Sequence, residues 1–138
     1  MNENYTGGCA CGAIRYEIRG EPIAMNDCQC RQCQHRSGTG RGSYLAFASR
    51  EQAVQLVGDA RHWDVTGESG TVKRHAFCPT CGSPVYLTIP KAPDLFIVHA
   101  ASLDQPARYQ PQFVTYGSSA QAWDPVAPGL RRFEKMPA

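Results

Sequence analysis

Apolar and polar residues alternate along much of this chain, and the alternation has the period of a β-strand. Ile14, Tyr16 and Ile18 are interleaved with Arg15, Glu17 and Arg19, the pattern of a strand with one buried face. Val85, Leu87 and Ile89 repeat it, with Tyr86 and Thr88 on the opposite face. Tyr44 to Ala48, Val54 to Val57, Arg61 to Val65 and Val72 to Phe77 read as further short strands. The run Leu95 to His99 is apolar enough for a strand covered on both faces. Gly58-Asp59 predicts a tight hairpin and Gly67-Glu68-Ser69-Gly70 a looser one. Helical periodicity is weak, with short turns expected at Arg31 to Arg36 and Ser118 to Trp123. Thirteen glycines and ten prolines punctuate the chain too often for long helices. The pattern predicts one mainly-β domain spanning residues 1–138.

Composition narrows the function classes. Apolar residues make up 42% and charged residues 19% of 138 positions, which describes a globular chain. A formal net charge of +2 is too small to predict a nucleic-acid partner. The cations Arg15, Lys73, Arg108 and Arg131 are spread along the chain as on a solvated surface. The run Leu95-Phe96-Ile97-Val98 is far too short to span a membrane. Residues Met1 to Thr6 have neither the basic nor the apolar segment of a secretory signal. A reducing cytoplasm is the expected compartment, where thiols stay free to bind metal.

Seven cysteines then give the chain its chemistry. They fall into three clusters: Cys9-x-Cys11, Cys28-x-Cys30-x-x-Cys33 and Cys78-x-x-Cys81. Disulfide partners usually lie far apart in sequence, and an odd count suits pairing badly. Knuckles of two or three residues suit ligands that must converge on one ion. Phe77-Cys78-Pro79-Thr80-Cys81-Gly82 reads as a zinc knuckle, with Pro79 setting a tight turn and Gly82 free to take a left-handed conformation. Its complement is Gly7-Gly8-Cys9-Ala10-Cys11-Gly12. In a strand, Cys9 and Cys11 would have Cα atoms about 6–7 Å apart. Sulfurs on zinc sit about 3.8 Å apart, so the backbone there must bend, helped by the glycines. Cys9, Cys11, Cys78 and Cys81 are expected to form a closed structural zinc site; another grouping of the clusters, or iron, remains open.

Cys28, Cys30 and Cys33 are left over. Three thiolates can cap one face of a metal and leave a fourth position for substrate, the arrangement of catalytic zinc. Two other readings compete: closure of the site by His35, or a reactive thiol cluster without metal. Arg31, Arg36 and Arg41 are candidates for binding a substrate carboxylate. Ser37-Gly38-Thr39-Gly40 reads as a plain loop, since no strand-to-helix phosphate-binding pattern surrounds it. His62 and His99 read as packed or surface residues. His75 lies three residues before Cys78, at a site that four cysteines already serve.

Together these motifs resemble the glutathione-dependent formaldehyde-activating enzyme family, which also includes centromere protein V. The stretches that carry the resemblance are Gly8-Cys9-Ala10-Cys11-Gly12, Cys28-x-Cys30-x-x-Cys33, Ser37-Gly38 and Phe77-Cys78-Pro79-Thr80-Cys81-Gly82-Ser83. Ser102-Leu103-Asp104, Trp123 and Leu130-Arg131-Arg132-Phe133 complete it. The resemblance implies a β-tent of small antiparallel sheets organised around a four-cysteine zinc site. It implies structural zinc on Cys9, Cys11, Cys78 and Cys81, and a second, active-site zinc on Cys28, Cys30 and Cys33. It also implies a carbon–sulfur lyase that joins formaldehyde to the glutathione thiol, so a small thiol and a small aldehyde are the expected partners. The alternative is a non-catalytic zinc-binding module for a protein partner. A thiol-based peroxide or methionine sulfoxide reductase would need a catalytic cysteine outside the clusters, and there is none.

Overall fold

Two sheets share the chain, and strand alternation decides what lies between them. The computed structural model describes residues 4–48 and 50–137; the leader reading of Met1 to Glu3 lies outside them. A three-stranded antiparallel sheet contains β1 (Tyr5–Gly8), β2 (Arg15–Ile18) and β5 (Val54–Val57) in that order. The larger sheet contains β3 (Ala24–Cys28), β4 (Gly42–Phe47), β6 (Arg61–Thr66), β7 (Val72–Phe77), β8 (Pro84–Thr88), β9 (Phe96–His99), β10 (Phe113–Thr115) and β11 (Arg131–Arg132). Its order is β11-β10-β3-β4-β9-β8-β7-β6. It is antiparallel except at one end, where β10 runs parallel to both β3 and β11. The helices are short: α1 (Arg31–Ser37) and α2 (Arg50–Ala53). The fold is mainly β, as the alternation predicts.

The core lies between the sheets. Tyr5, Tyr16 and Ile18 from the small sheet meet Leu45, Phe47, Tyr86, Phe96 and Val98 from the large one. Tyr5 packs edge-on to Phe47 with ring centroids 5.3 Å apart. Successive residues of a strand point to opposite faces. With Leu45, Phe96 and Val98 committed to the core, Tyr44, Ala46, Ile97 and His99 must therefore face the other side of the large sheet. A smaller cluster forms there around Cys28, Cys33, Tyr44 and Leu87.

Two turns depart from expectation. Gly67–Gly70 does close the β6–β7 hairpin, with Thr66 opposite Val72. Gly58-Asp59 instead carries the chain from one sheet to the other, since β5 pairs with β2 and β6 with β7. Gly58 has φ of 97°, and a Cβ there would lie 2.0 Å from the Ala13 carbonyl oxygen. The glycine serves close packing of a crossover, a role that dipeptide chemistry alone does not reveal. Ser118 to Trp123 is not one helical turn; a 3-10 turn at Gly117–Ser119 is followed by a separate turn closed by Asp124 N–H to the Gln121 carbonyl at 3.1 Å. No helix among the described residues is long and apolar enough to cross a membrane.

Candidate functional site

The structure brings the seven cysteines into two groups. Cys9 and Cys11 lie in the turn between β1 and β2, rather than in a bent strand. That turn is closed by Cys9 N–H to the Ile14 carbonyl at 3.1 Å and Gly12 N–H to the Cys9 carbonyl at 3.1 Å. Cys78 and Cys81 lie in the turn between β7 and β8, where Gly82 takes φ of 77°. Its N–H reaches the Cys78 carbonyl at 2.8 Å. Ser83 joins the two turns, accepting from Ala10 N–H at 3.1 Å and lying 3.2 Å from the Cys81 sulfur.

All four sulfurs lie within 4.8 Å of one another. The Cys9–Cys11 and Cys11–Cys78 separations are both 3.6 Å, close to the ~3.8 Å of two thiolates on one zinc. Backbone N–H groups already point at the sulfurs: Ile14 to Cys9 at 3.2 Å and Thr80 to Cys78 at 3.3 Å. The Ser83 hydroxyl, then its amide, hold Cys81 down to about 5. Donors aimed at sulfur favour thiolate, so this group can hold a tetrahedral metal ion.

Cys28, Cys30 and Cys33 form the second group, their sulfurs also within 4.8 Å of one another. Cys28 ends β3 and is buried. Cys30 is the N-cap of α1, its sulfur accepting the Cys33 N–H at 3.2 Å. Cys33 lies one turn later on the buried side of α1. Gln34 seats that helix, donating from Nε2 to the carbonyls of Gln29 at 2.9 Å and Ser119 at 3.0 Å. Hydrogen bonding from Cys30, then Cys33, holds Cys28 below the ordinary thiol range. The Cys30 and Cys33 sulfurs stand 2.9 Å apart, so sharing a zinc would require them to open by about 1 Å. His35 is exposed on α1 and is absent from the group. Among the described residues no fourth cysteine, histidine or carboxylate joins the three sulfurs.

What stands beside them is a cleft of about 390 Å³. Strand register builds its floor. Asn26, Tyr44 and His99 form one row across β3, β4 and β9. Ala46, Ile97, Leu87 and His75 form the next across β4, β9, β8 and β7. Two buried polar atoms on this face lack hydrogen-bond partners, the Tyr44 hydroxyl and His75 Nδ1. Burial, then the nearby cysteines, pushes the Tyr44 hydroxyl well above the ordinary phenol range. Burial, then Arg36 and Lys73, lowers His75 to about 4, so its ring is neutral near pH 7. His99 is lowered to about 4 by burial, His75 and Arg36, and packs against Tyr44 with centroids 5.0 Å apart.

The outcome for the other candidates is mixed. Arg31 lines the cleft, together with Lys73, whose sequence context is that of an ordinary surface cation. Arg36 lies over the Phe77 ring at 5.8 Å, and Arg41 turns toward Asp27 and Asp124 at 3.9 and 3.8 Å. His75 belongs to the cleft and not to the four-cysteine group beside it in sequence. No local motif marks Tyr44; only strand parity, Tyr44 out where Leu45 is in, points to it.

Comparison with known proteins places the chain in a family. Residues 4–119, which contain all seven cysteines, match the family described as glutathione-dependent formaldehyde-activating enzyme. A protein of Halomonas elongata, provisionally named a glutathione-dependent formaldehyde-activating enzyme, is 29% identical over 114 residues, covering 78% of this chain and 71% of its own. A solved structure from Rhodobacter sphaeroides shares the fold, with a TM-score of 0.55 at 19% identity over 93% of this chain and 98% of that one. The chain therefore belongs to the glutathione-dependent formaldehyde-activating enzyme family.

Proposed function

We propose that this protein is a zinc-dependent enzyme of carbon–sulfur chemistry, joining a glutathione-like thiol to a small aldehyde and splitting the adduct in reverse. One observation carries the reading: Cys28, Cys30 and Cys33 converge beside an open cleft, while Cys9, Cys11, Cys78 and Cys81 form a separate group. The four-cysteine group would hold a structural zinc, and the trio a second one. When bound there, zinc would supply a Lewis acid with an exchangeable position, able to favour thiolate or polarise a carbonyl at neutral pH.

The chemistry needs no oxidant or reductant. The thiol sulfur bonds to the carbonyl carbon, the C=O π pair moves to oxygen, and the thiol proton ends on that oxygen. This chain's own groups suit those movements. Neutral His75, with Nδ1 unpartnered, is an acceptor for the thiol proton. The Tyr44 hydroxyl, kept protonated by burial, is a donor to the oxygen as charge develops. Arg31 and Lys73 line the cleft and match a carboxylate carried by the thiol.

Cys30→Ser tests the role of the trio. Turnover of glutathione with formaldehyde is expected to vanish, while the unfolding midpoint stays within a few degrees; unchanged turnover rejects the role. A second reading, a non-catalytic zinc module for a protein partner, draws on the exposed indoles of Trp63 and Trp123. It would be favoured if the wild-type protein, loaded with zinc, turned over no thiol–aldehyde pair.

A further inference from the structure

The cleft is much larger than a one-carbon aldehyde needs. Its volume of about 390 Å³ falls among pockets that enclose ligands of many heavy atoms. Formaldehyde, with two heavy atoms, needs little more than the ~30 Å³ share of a water molecule in the liquid. Glutathione would occupy part of the remainder, but it is a polar tripeptide with ionic ends. The ionic side chains along the cleft are few: Arg31, Glu68 and Lys73. Arg31 and Glu68 are exposed, and Glu68 is already paired with Lys135 at 3.0 Å.

The surface between the sulfurs and that rim is mostly hydrocarbon. Ala46, Ile97 and Leu87 follow one another across three adjacent strands. Ile89 lies two residues beyond Leu87, and so on the same face, while Val65 enters from the β6–β7 hairpin. Tyr116 adds an aromatic wall, packed against the cluster that contains Cys28 and Cys33. The strip is continuous with the reacting centre, since the same row of the sheet contains His75. Hydrocarbon left facing water is unfavourable, and covering it with ligand hydrocarbon is the most direct source of affinity such a wall offers.

We infer that this cleft receives an aldehyde with an apolar substituent of several carbons, which lies along Ala46, Ile97, Leu87, Ile89 and Val65 while its carbonyl meets the cysteine trio. The inference rests on the trio being the reacting centre and specifies the substrate that centre serves.

The test uses zinc-loaded protein with labelled Ile, Leu and Val methyl groups, titrated with two unreactive amides. Formamide stands in for formaldehyde and hexanamide for a six-carbon aldehyde. Hexanamide should shift the Ile89, Ile97 and Leu87 methyl signals and saturate at a tenfold or lower concentration than formamide, since each buried methylene adds about fourfold. Ile89→Gln should shrink that advantage. In parallel, kcat/KM with glutathione should be higher for hexanal than for formaldehyde. If hexanamide leaves the cleft methyls unmoved, or binds no tighter than formamide, the inference is overturned, even where formaldehyde turnover upholds the lyase. If hexanamide binds as expected and no aldehyde reacts, the lyase reading falls and the apolar ligand class stands.

Discussion

Tyr116 shows how much a single residue in this protein gives up for position. It is the one non-glycine among the described residues with positive φ, at 57°, a conformation that costs an L-residue about 1–2 kcal/mol. Backbone bonds hold it there: Tyr116 N–H to the Lys135 carbonyl at 3.2 Å and Gly117 N–H to the Phe133 carbonyl at 2.9 Å. Its ring packs against the trio's cluster and lines the cleft. Strain retained beside the proposed reacting centre points to a function for the ring. Tyr116→Gly and Tyr116→Ala separate the two contributions. Both remove the ring, but only glycine relaxes the backbone, so the glycine variant should be more stable than the alanine variant by about 1 kcal/mol. Both should lose turnover tenfold or more. Retained turnover in the glycine variant would mean that the ring serves packing alone.

The elements around the trio depend on polar bonds as much as on packing. Helix α1 has seven residues, too few to be stable alone, and Gln34 fixes it to the loops at Gln29 and Ser119. Gln34→Ala would leave two carbonyls short of a donor, costing about 1–3 kcal/mol. Because the same helix carries Cys33 and is capped by Cys30, zinc affinity at the trio should fall about tenfold. The four-cysteine group should keep its metal. Competition with a graded chelator reads both, and equal weakening of the two sites would contradict the assignment. Strands β2, β5 and β7 were legible in sequence because their alternation or β-branched runs are local. β3 and β10 were not. The stretch Ala24-Met25-Asn26-Asp27-Cys28 shows no apolar alternation, and Asp27 is tolerated in the interior because Ser43 and Tyr109 donate to it at 2.7 and 2.6 Å. The two cysteine groups were also legible, since knuckle spacing is local information. The cleft was not: its floor exists only once register aligns rows across five strands.

At the scale of the whole molecule, the two cysteine groups are set in different surroundings. Cys9 and Cys78 are buried within the core shared by the two sheets, and their knuckles join a turn of the small sheet to a turn of the large one. A metal there would tie together Cys11 and Cys78, 67 positions apart in sequence, so its loss should cost folding as well as metal. The trio lies on the far face of the large sheet, beside the cleft, and its metal should be removable without unfolding the chain. Zinc content per chain, by elemental mass spectrometry on wild-type and Cys30→Ser protein purified under reducing conditions without chelator, tests this division most directly. The account predicts about two zincs in the wild type and about one in a folded Cys30→Ser variant, one lost with the open site. A wild-type content of about one zinc, unchanged by Cys30→Ser, would contradict a metal at the trio and with it the proposed chemistry.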